Sequence, residues 1–130
     1  MDKVTKSDSE WRAQLSELAY KVTRKHGTER AGSNEDFPKG PGIYRCVCCD
    51  APLFDQATKF ESGTGWPSFY APLSAEQVGE QVDRSFFSTR TEVHCNRCQA
   101  HLGHVFADGP APTGLRYCMN GVAMTFEPSE

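Results

Sequence analysis

Long hydrophobic runs are missing from this 130-residue sequence: none approaches the roughly 18 apolar residues of a membrane-spanning helix. Excess basic charge is missing too. Lys and Arg number 14 against 17 Asp and Glu, which leaves a formal net charge of −3 and no Lys/Arg cluster to track a phosphate backbone. The opening MDKVTKSDSEW has no apolar core of the kind that marks a secretory signal. The expected setting is therefore a reducing cytoplasm, with neither membrane nor nucleic acid as partner. Repeats, low-complexity tracts and a dividing linker are also absent, so one domain is expected over 1–130. With 38% hydrophobic and 24% charged residues, that domain has the composition of a folded globule rather than a disordered chain.

Cysteine, by contrast, is plentiful for such a setting: there are six. A disulfide framework belongs to exported chains, and the spacing argues against one here. Cys46-Val47-Cys48-Cys49 and Cys95-Asn96-Arg97-Cys98 contain two C-x-x-C units, and Cys118 stands apart. Paired units of this kind read as a four-thiolate metal site, with Cys46, Cys49, Cys95 and Cys98 as ligands. Zinc is the default ion, because it accepts tetrahedral sulfur ligation without redox chemistry. Between Cys49 and Cys95 lie 45 residues, far more than the roughly 15–20 of a compact finger. The metal is thus expected to be structural and to join two distant knuckles of a larger domain.

The remaining pattern is mostly β. Ser7-Asp8-Ser9-Glu10 has the form of a capping box, and Trp11, Leu15, Leu18 and Val22 follow at helical spacing, predicting one helix over about 8–24. Gly27 to Gly42 reads as a long loop, and Ser74 to Gly79 as one short helix. Short β-type runs cover Gly42–Arg45, Phe86–His94, His101–Phe106 and Leu115–Phe126, predicting a β core over 42–126.

The chemistry concentrates near the end of the chain. As a strand, Leu115–Gly121 would place Arg116, Cys118 and Asn120 on one face and Leu115, Tyr117 and Met119 on the other. A guanidinium beside a thiol favours the thiolate, so the first face suits a nucleophile. A buried structural cysteine is the alternative reading of that strand alone. His101 and His104 lie three residues apart and would face opposite ways in a regular strand. A bulge near Gly103 would bring both rings to one side and complete an acid–base set with Cys118. His94 is given no catalytic role. Trp66, delivered by the turn Ser62-Gly63-Thr64-Gly65, reads either as core or as the apolar wall of a small-molecule site.

These segments, taken in order, resemble the methionine sulfoxide reductase B family. The resemblance runs from about Trp11 to Phe126 through His26-Gly27-Thr28-Glu29, Tyr44-Arg45-Cys46-x-x-Cys49, Gly65-Trp66-Pro67-Ser68-Phe69, Cys95-x-x-Cys98, His101-Leu102-Gly103-His104-Val105-Phe106, Asp108-Gly109-Pro110 and Arg116-Tyr117-Cys118-x-Asn120. It implies two antiparallel β-sheets, a structural zinc away from the active site, and reduction of the R epimer of methionine sulfoxide in oxidised proteins. It also implies Cys118 as nucleophile, His104 with His101 as acid, and Asn120 and Arg116 beside them. Trp66, Phe106 and Asp108 then belong to the substrate-binding set. A cysteine sulfenic acid is the implied intermediate, thioredoxin or another thiol the reductant, and no organic cofactor is required.

One departure from the family pattern stands out. Thr64 occupies the place where many members carry the cysteine that resolves the sulfenic acid, and Cys48 is the one further cysteine outside the metal set. The segment Arg30–Gly40 also fits the pattern poorly. A non-catalytic zinc-knuckle interaction module is the competing class. It accounts for four cysteines and leaves Cys118, both histidines and Trp66 unexplained.

Overall fold

The computed structural model describes residues 3–33, 40–84 and 89–129. It begins with two short helices where the spacing predicts one. α1 (Asp8–Gln14) starts with the expected capping box: Ser7 Oγ accepts from Glu10 N at 3.3 Å and Glu10 Oε1 from Ser7 N at 3.0 Å. Leu15 then turns extended, and Ser16 caps α2 (Glu17–Lys25) by accepting from Ala19 N at 3.1 Å. The break rephases the apolar stripe, so Trp11 and Val22 are buried while Leu18 is 41% exposed. The Arg24 guanidinium lies 4.3 Å from the centre of the Trp11 ring and ties the helices together.

Two antiparallel sheets follow, as expected. β1 (Gly42–Cys46) is the middle strand of a three-stranded sheet between β2 (Pro52–Asp55) and β9 (Met124–Pro128). The larger sheet has six strands. Its order is β3 (Lys59–Phe60), β4 (Ser68–Phe69), β8 (Arg116–Met119), β7 (His101–Phe106), β6 (Arg90–Cys95) and β5 (Val78–Asp83). The two sheets meet through aromatic rings. Phe54 stacks on Phe69 at 4.4 Å between centroids, and Tyr44 meets Phe69 edge-on at 5.0 Å. Truncating a buried ring of this kind to alanine typically costs about 3–5 kcal/mol.

Two local expectations are corrected, and a third lies partly outside the described residues. The run Leu115–Phe126 is not one strand: β8 ends at Met119, a 3-10 turn occupies Gly121–Ala123, and β9 joins the other sheet. The cause is tertiary, because Glu29 Oε2 and Oε1 accept the N–H groups of Gly121 and Val122 at 2.9 and 2.8 Å and withdraw them from a ladder. Ser74–Gly79 forms only a turn, closed by Gln77 N to Ser74 O at 3.2 Å, before β5 begins at Val78 and pairs with β6. Of the strand expected over Phe86–His94, residues 86–88 lie outside the described residues, and β6 starts at Arg90. Strands β2 to β5 were not anticipated from the pattern. Among the described residues, no helix is long and apolar enough to cross a membrane.

Candidate active site and metal centre

The two C-x-x-C knuckles have the same backbone construction. In the first, Asp50 N donates to Cys46 O and Cys46 N to Ala51 O, both at 2.9 Å, with Asp50 left-handed at φ 65°. In the second, Gln99 N donates to Cys95 O at 2.8 Å and Cys95 N to Ala100 O at 2.9 Å, with Gln99 at φ 65°. Each turn projects its two thiols toward the other. Cys46, Cys49, Cys95 and Cys98 converge into one group able to hold a metal ion. Cys46 Sγ and Cys98 Sγ lie 3.7 Å apart, and Cys49 Sγ and Cys95 Sγ 3.6 Å apart. A tetrahedral ion with metal–sulfur bonds of about 2.3 Å separates its sulfurs by about 3.8 Å, so the donor set fits. The Arg24 Nη2 donor, 3.6 Å from Cys98 Sγ, offsets part of the thiolate charge.

Cys118 belongs to a different environment. Sheet register places Ser68 of β4, Cys118 of β8, His104 of β7 and Glu92 of β6 in one cross-strand row. Directly paired residues share a face with Cβ atoms about 4.5–5.5 Å apart, so His104 is delivered beside the Cys118 thiol by strand pairing alone. Gly103 lets β8 approach this closely: a Cβ there would meet Cys118 O at 2.1 Å. His101 reaches the same side through the expected irregularity. Val93 pairs with Gly103 but His94 with His101, so Leu102 is the extra residue, and the His101 and His104 rings stand 5.5 Å apart.

A cavity of about 300 Å³ opens over this row. Cys118, His104, Trp66, Phe106, Arg116 and Asn120 all line it, as do Thr28, Thr64 and Arg90, which sequence reasoning did not single out as lining residues. Arg116 is held by a two-pronged pair to Asp108, Nε to Oδ1 at 2.9 Å and Nη2 to Oδ2 at 3.1 Å, and lies 4.4 Å from the centre of the Phe106 ring. The Asp108 hydrogen bond raises the Arg116 pKa above its ordinary value, with a smaller contribution from Cys118 in the same direction. Thr64 Oγ1 lies 3.9 Å from Cys118 Sγ, so the Thr64 side chain abuts the Cys118 thiol. Cys48 is instead buried within its knuckle, where its thiol faces Cys46, Cys98 and Thr23.

Two of the expected site residues are not brought to the cavity wall. Asp108 stands outside it and acts on Arg116, and His101, only 2% exposed, sits behind His104. Asn120 lines the cavity, but its amide is engaged with backbone rather than with a histidine ring: Oδ1 accepts from Glu29 N and Nδ2 donates to Leu102 O, both at 2.9 Å. Glu29 is the organising residue: it stood in the segment His26-Gly27-Thr28-Glu29 but was given no role from the sequence. Besides Asn120 and the turn at Gly121 and Val122, it holds Trp66, whose Nε1 donates to Glu29 O at 3.0 Å. Its signal was one acidic residue inside a loop, and nothing in local periodicity marks such a residue as 2% exposed.

The fold and site thus define a two-sheet β protein with four thiols grouped so that they could hold a metal ion and a separate cavity built on a single cysteine. The SelR domain family model matches residues 15–128. The chain is 52% identical over 131 residues to the peptide methionine sulfoxide reductase MsrB of Hahella chejuensis, covering 100% of this chain and 94% of that protein. It is 56% identical over 129 residues to the protein of the same name from Pseudomonas syringae pv. syringae, with 98% of each covered. The chain therefore belongs to the SelR domain family, that of the methionine sulfoxide reductases B. The crystal structure of the Mis18 'Yippee-like' domain shares the fold alone, at 16% identity and a TM-score of 0.56 over 70% of this chain and 99% of that one.

Proposed function

We propose that the protein reduces the R epimer of methionine sulfoxide in oxidised proteins to methionine, with the sulfoxide oxygen passing to Cys118. The observation that carries this is the direct pairing of His104 with Cys118 beneath a cavity lined by Trp66. Attack of the Cys118 thiolate on the sulfoxide sulfur makes the oxygen more basic, and His104 donates a proton to it as general acid. Arg116, which interacts with Cys118 and is clamped by Asp108, stabilises negative charge at the reacting sulfur. Trp66, fixed by Glu29, and Phe106 offer apolar surface to the methyl group, so methyl and oxygen are read by different walls. The oxygen then passes from the methionine sulfur to the Cys118 sulfur as the S–O bond and the transient S–S bond break, so methionine leaves and Cys118 remains as sulfenic acid.

Regeneration consumes two thiols: the first condenses with the sulfenic acid and releases water, and the second exchanges with the resulting mixed disulfide. Thr64 beside Cys118 and Cys48 within the knuckle favour an external donor, with thioredoxin or another cytoplasmic thiol in that role. Zinc is the ion assigned to Cys46, Cys49, Cys95 and Cys98, where it cross-links the two knuckles and takes no part in the reaction. No organic cofactor is invoked.

The test is a single turnover, without reductant, on a peptide carrying each epimer separately. The expected result is loss of the R sulfoxide alone, with a gain of one oxygen on the protein that a sulfenic-acid reagent traps at Cys118. Equal reduction of both epimers, or turnover that leaves Cys118 unmodified, would refute the reading.

A further inference from the structure

Behind His104, which lines the cavity, three residues converge from three elements. His26 ends α2 in a left-handed conformation at φ 57°, Glu92 lies on β6, and His101 begins β7. His26 Nδ1 lies 3.1 Å and His101 Nδ1 3.5 Å from the same Glu92 oxygen, Oε2. One donor atom from each residue lies within 4.8 Å of the other two. A tetrahedral ion with ligand bonds of about 2.0–2.2 Å sets its ligands roughly 3.3–3.6 Å apart; the 3.5 Å separation falls in that range, and the 3.1 Å separation lies just below it.

An ordinary ion pair explains His26 with Glu92 but not His101. That ring is 2% exposed, and among the described residues neither of its nitrogens has a hydrogen-bond partner, although Nδ1 lies 3.5 Å from Glu92 Oε2. Buried polar groups are nearly always bonded, so an orphaned imidazole beside a buried carboxylate points to an absent ligand. Burial pushes the His101 pKa down to about 4, which keeps the ring neutral and its lone pair available. The His26 side chain is 62% exposed and supplies both an entry path and open coordination positions for water.

We propose that His26, Glu92 and His101 form a second metal site, distinct from the four-cysteine centre, for a borderline divalent transition ion such as Zn²⁺, Co²⁺ or Ni²⁺. Two imidazoles and one carboxylate suit these ions and disfavour Mg²⁺ and Ca²⁺, which prefer all-oxygen shells. The site adjoins the reactive centre, since the His101 ring packs against His104.

The test titrates Co²⁺ into the Cys118→Ser protein with its four-cysteine ion in place, which removes the exposed thiol as a competing ligand. The expected result is one further equivalent bound, with weak visible bands of nitrogen- and oxygen-ligated cobalt and no thiolate-to-cobalt charge-transfer band. His26→Asn, which tolerates the left-handed backbone, and Glu92→Gln should each weaken binding at least about tenfold. His94→Asn, on the same strand but outside the cluster, should leave it unchanged. Absence of a further equivalent, a thiolate charge-transfer band, or affinity that survives His26→Asn would overturn the proposal, as would its loss in His94→Asn. Should Glu92→Gln fail to fold, His26→Asn alone decides.

Discussion

The knuckles and the cavity present the same functional group to different company. Cys95 closes β6 and Cys118 lies on β8, two strands away in one sheet. At the knuckles each thiol meets other thiols at 3.6–3.7 Å, inside matched turns that leave little freedom. At the cavity the thiol meets a hydroxyl, a paired histidine and a clamped guanidinium, with open volume above it. A thiolate shared with a metal is quenched as a nucleophile, whereas one beside an acid and a cation can attack and be relieved of charge. What a cysteine does here follows from what the backbone sets opposite it.

The sharpest way to break that comparison is to treat the two cysteines alike. Cys95→Ser should lose the metal and the fold together, because a structural ion of this kind contributes about 10–16 kcal/mol of binding free energy coupled to folding. Metal content and a thermal melt check it. A variant with a native melt and no metal would make the centre dispensable. Cys118→Ser should keep metal and melt but lose reduction altogether. His104→Asn should retain the first turnover at a rate lowered by about a hundredfold or more, the typical worth of a positioned acid. Stopped single-turnover assays separate these outcomes.

Thr64→Cys sharpens the comparison by giving Cys118 a thiol neighbour of its own. With Thr64 Oγ1 already 3.9 Å from Cys118 Sγ, one turnover without reductant should now end in a loss of two hydrogens rather than a gain of one oxygen. Intact mass reads this directly. Persistence of the oxygen adduct would mean that the turn at Ser62–Gly65 holds residue 64 too rigidly to close the bond.

The smallest effect concerns pH. Burial lowers the His101 pKa from its ordinary 6.5 to about 4, so between those values the unfolded chain binds a proton that the folded one refuses. Stability is therefore complete above about pH 6.5 and declines as pH falls toward 4. From this residue alone the loss between pH 7 and pH 5 is about 2 kcal/mol. Urea unfolding of His101→Gln beside the parent protein isolates that share from acid release of the metal proposed for the knuckles. An unchanged pH slope in the variant would place the His101 proton elsewhere.

Much of this was legible in the chain because it is carried by short-range spacing. The C-x-x-C units, the capping box at Ser7 and Glu10, and the alternation of Arg116, Cys118 and Asn120 are local patterns, and each corresponds to a feature of the fold. The helix break at Ser16 was also written locally, as a serine that caps, yet the apolar spacing of Trp11, Leu15, Leu18 and Val22 masked it. Strands β3 and β4, two residues each, are too short to carry any period. The end of β8 could not be read at all, since it depends on a carboxylate 92 residues earlier in the chain.

By itself, then, the sequence determined which residues could do chemistry here: six thiols in two spacings, two histidines on one short run, and one fixed cation beside the lone cysteine. Tertiary structure decided which of them meet. Strand register set His104 and not His101 opposite Cys118, a single extra residue at Leu102 turned His101 inward, and Glu29 fastened Asn120 and Trp66 around the cavity. The reason is physical: ligand spacing and side-chain alternation are properties of a few consecutive residues. Cross-strand pairing and the satisfaction of a buried carboxylate are settled only when distant segments pack.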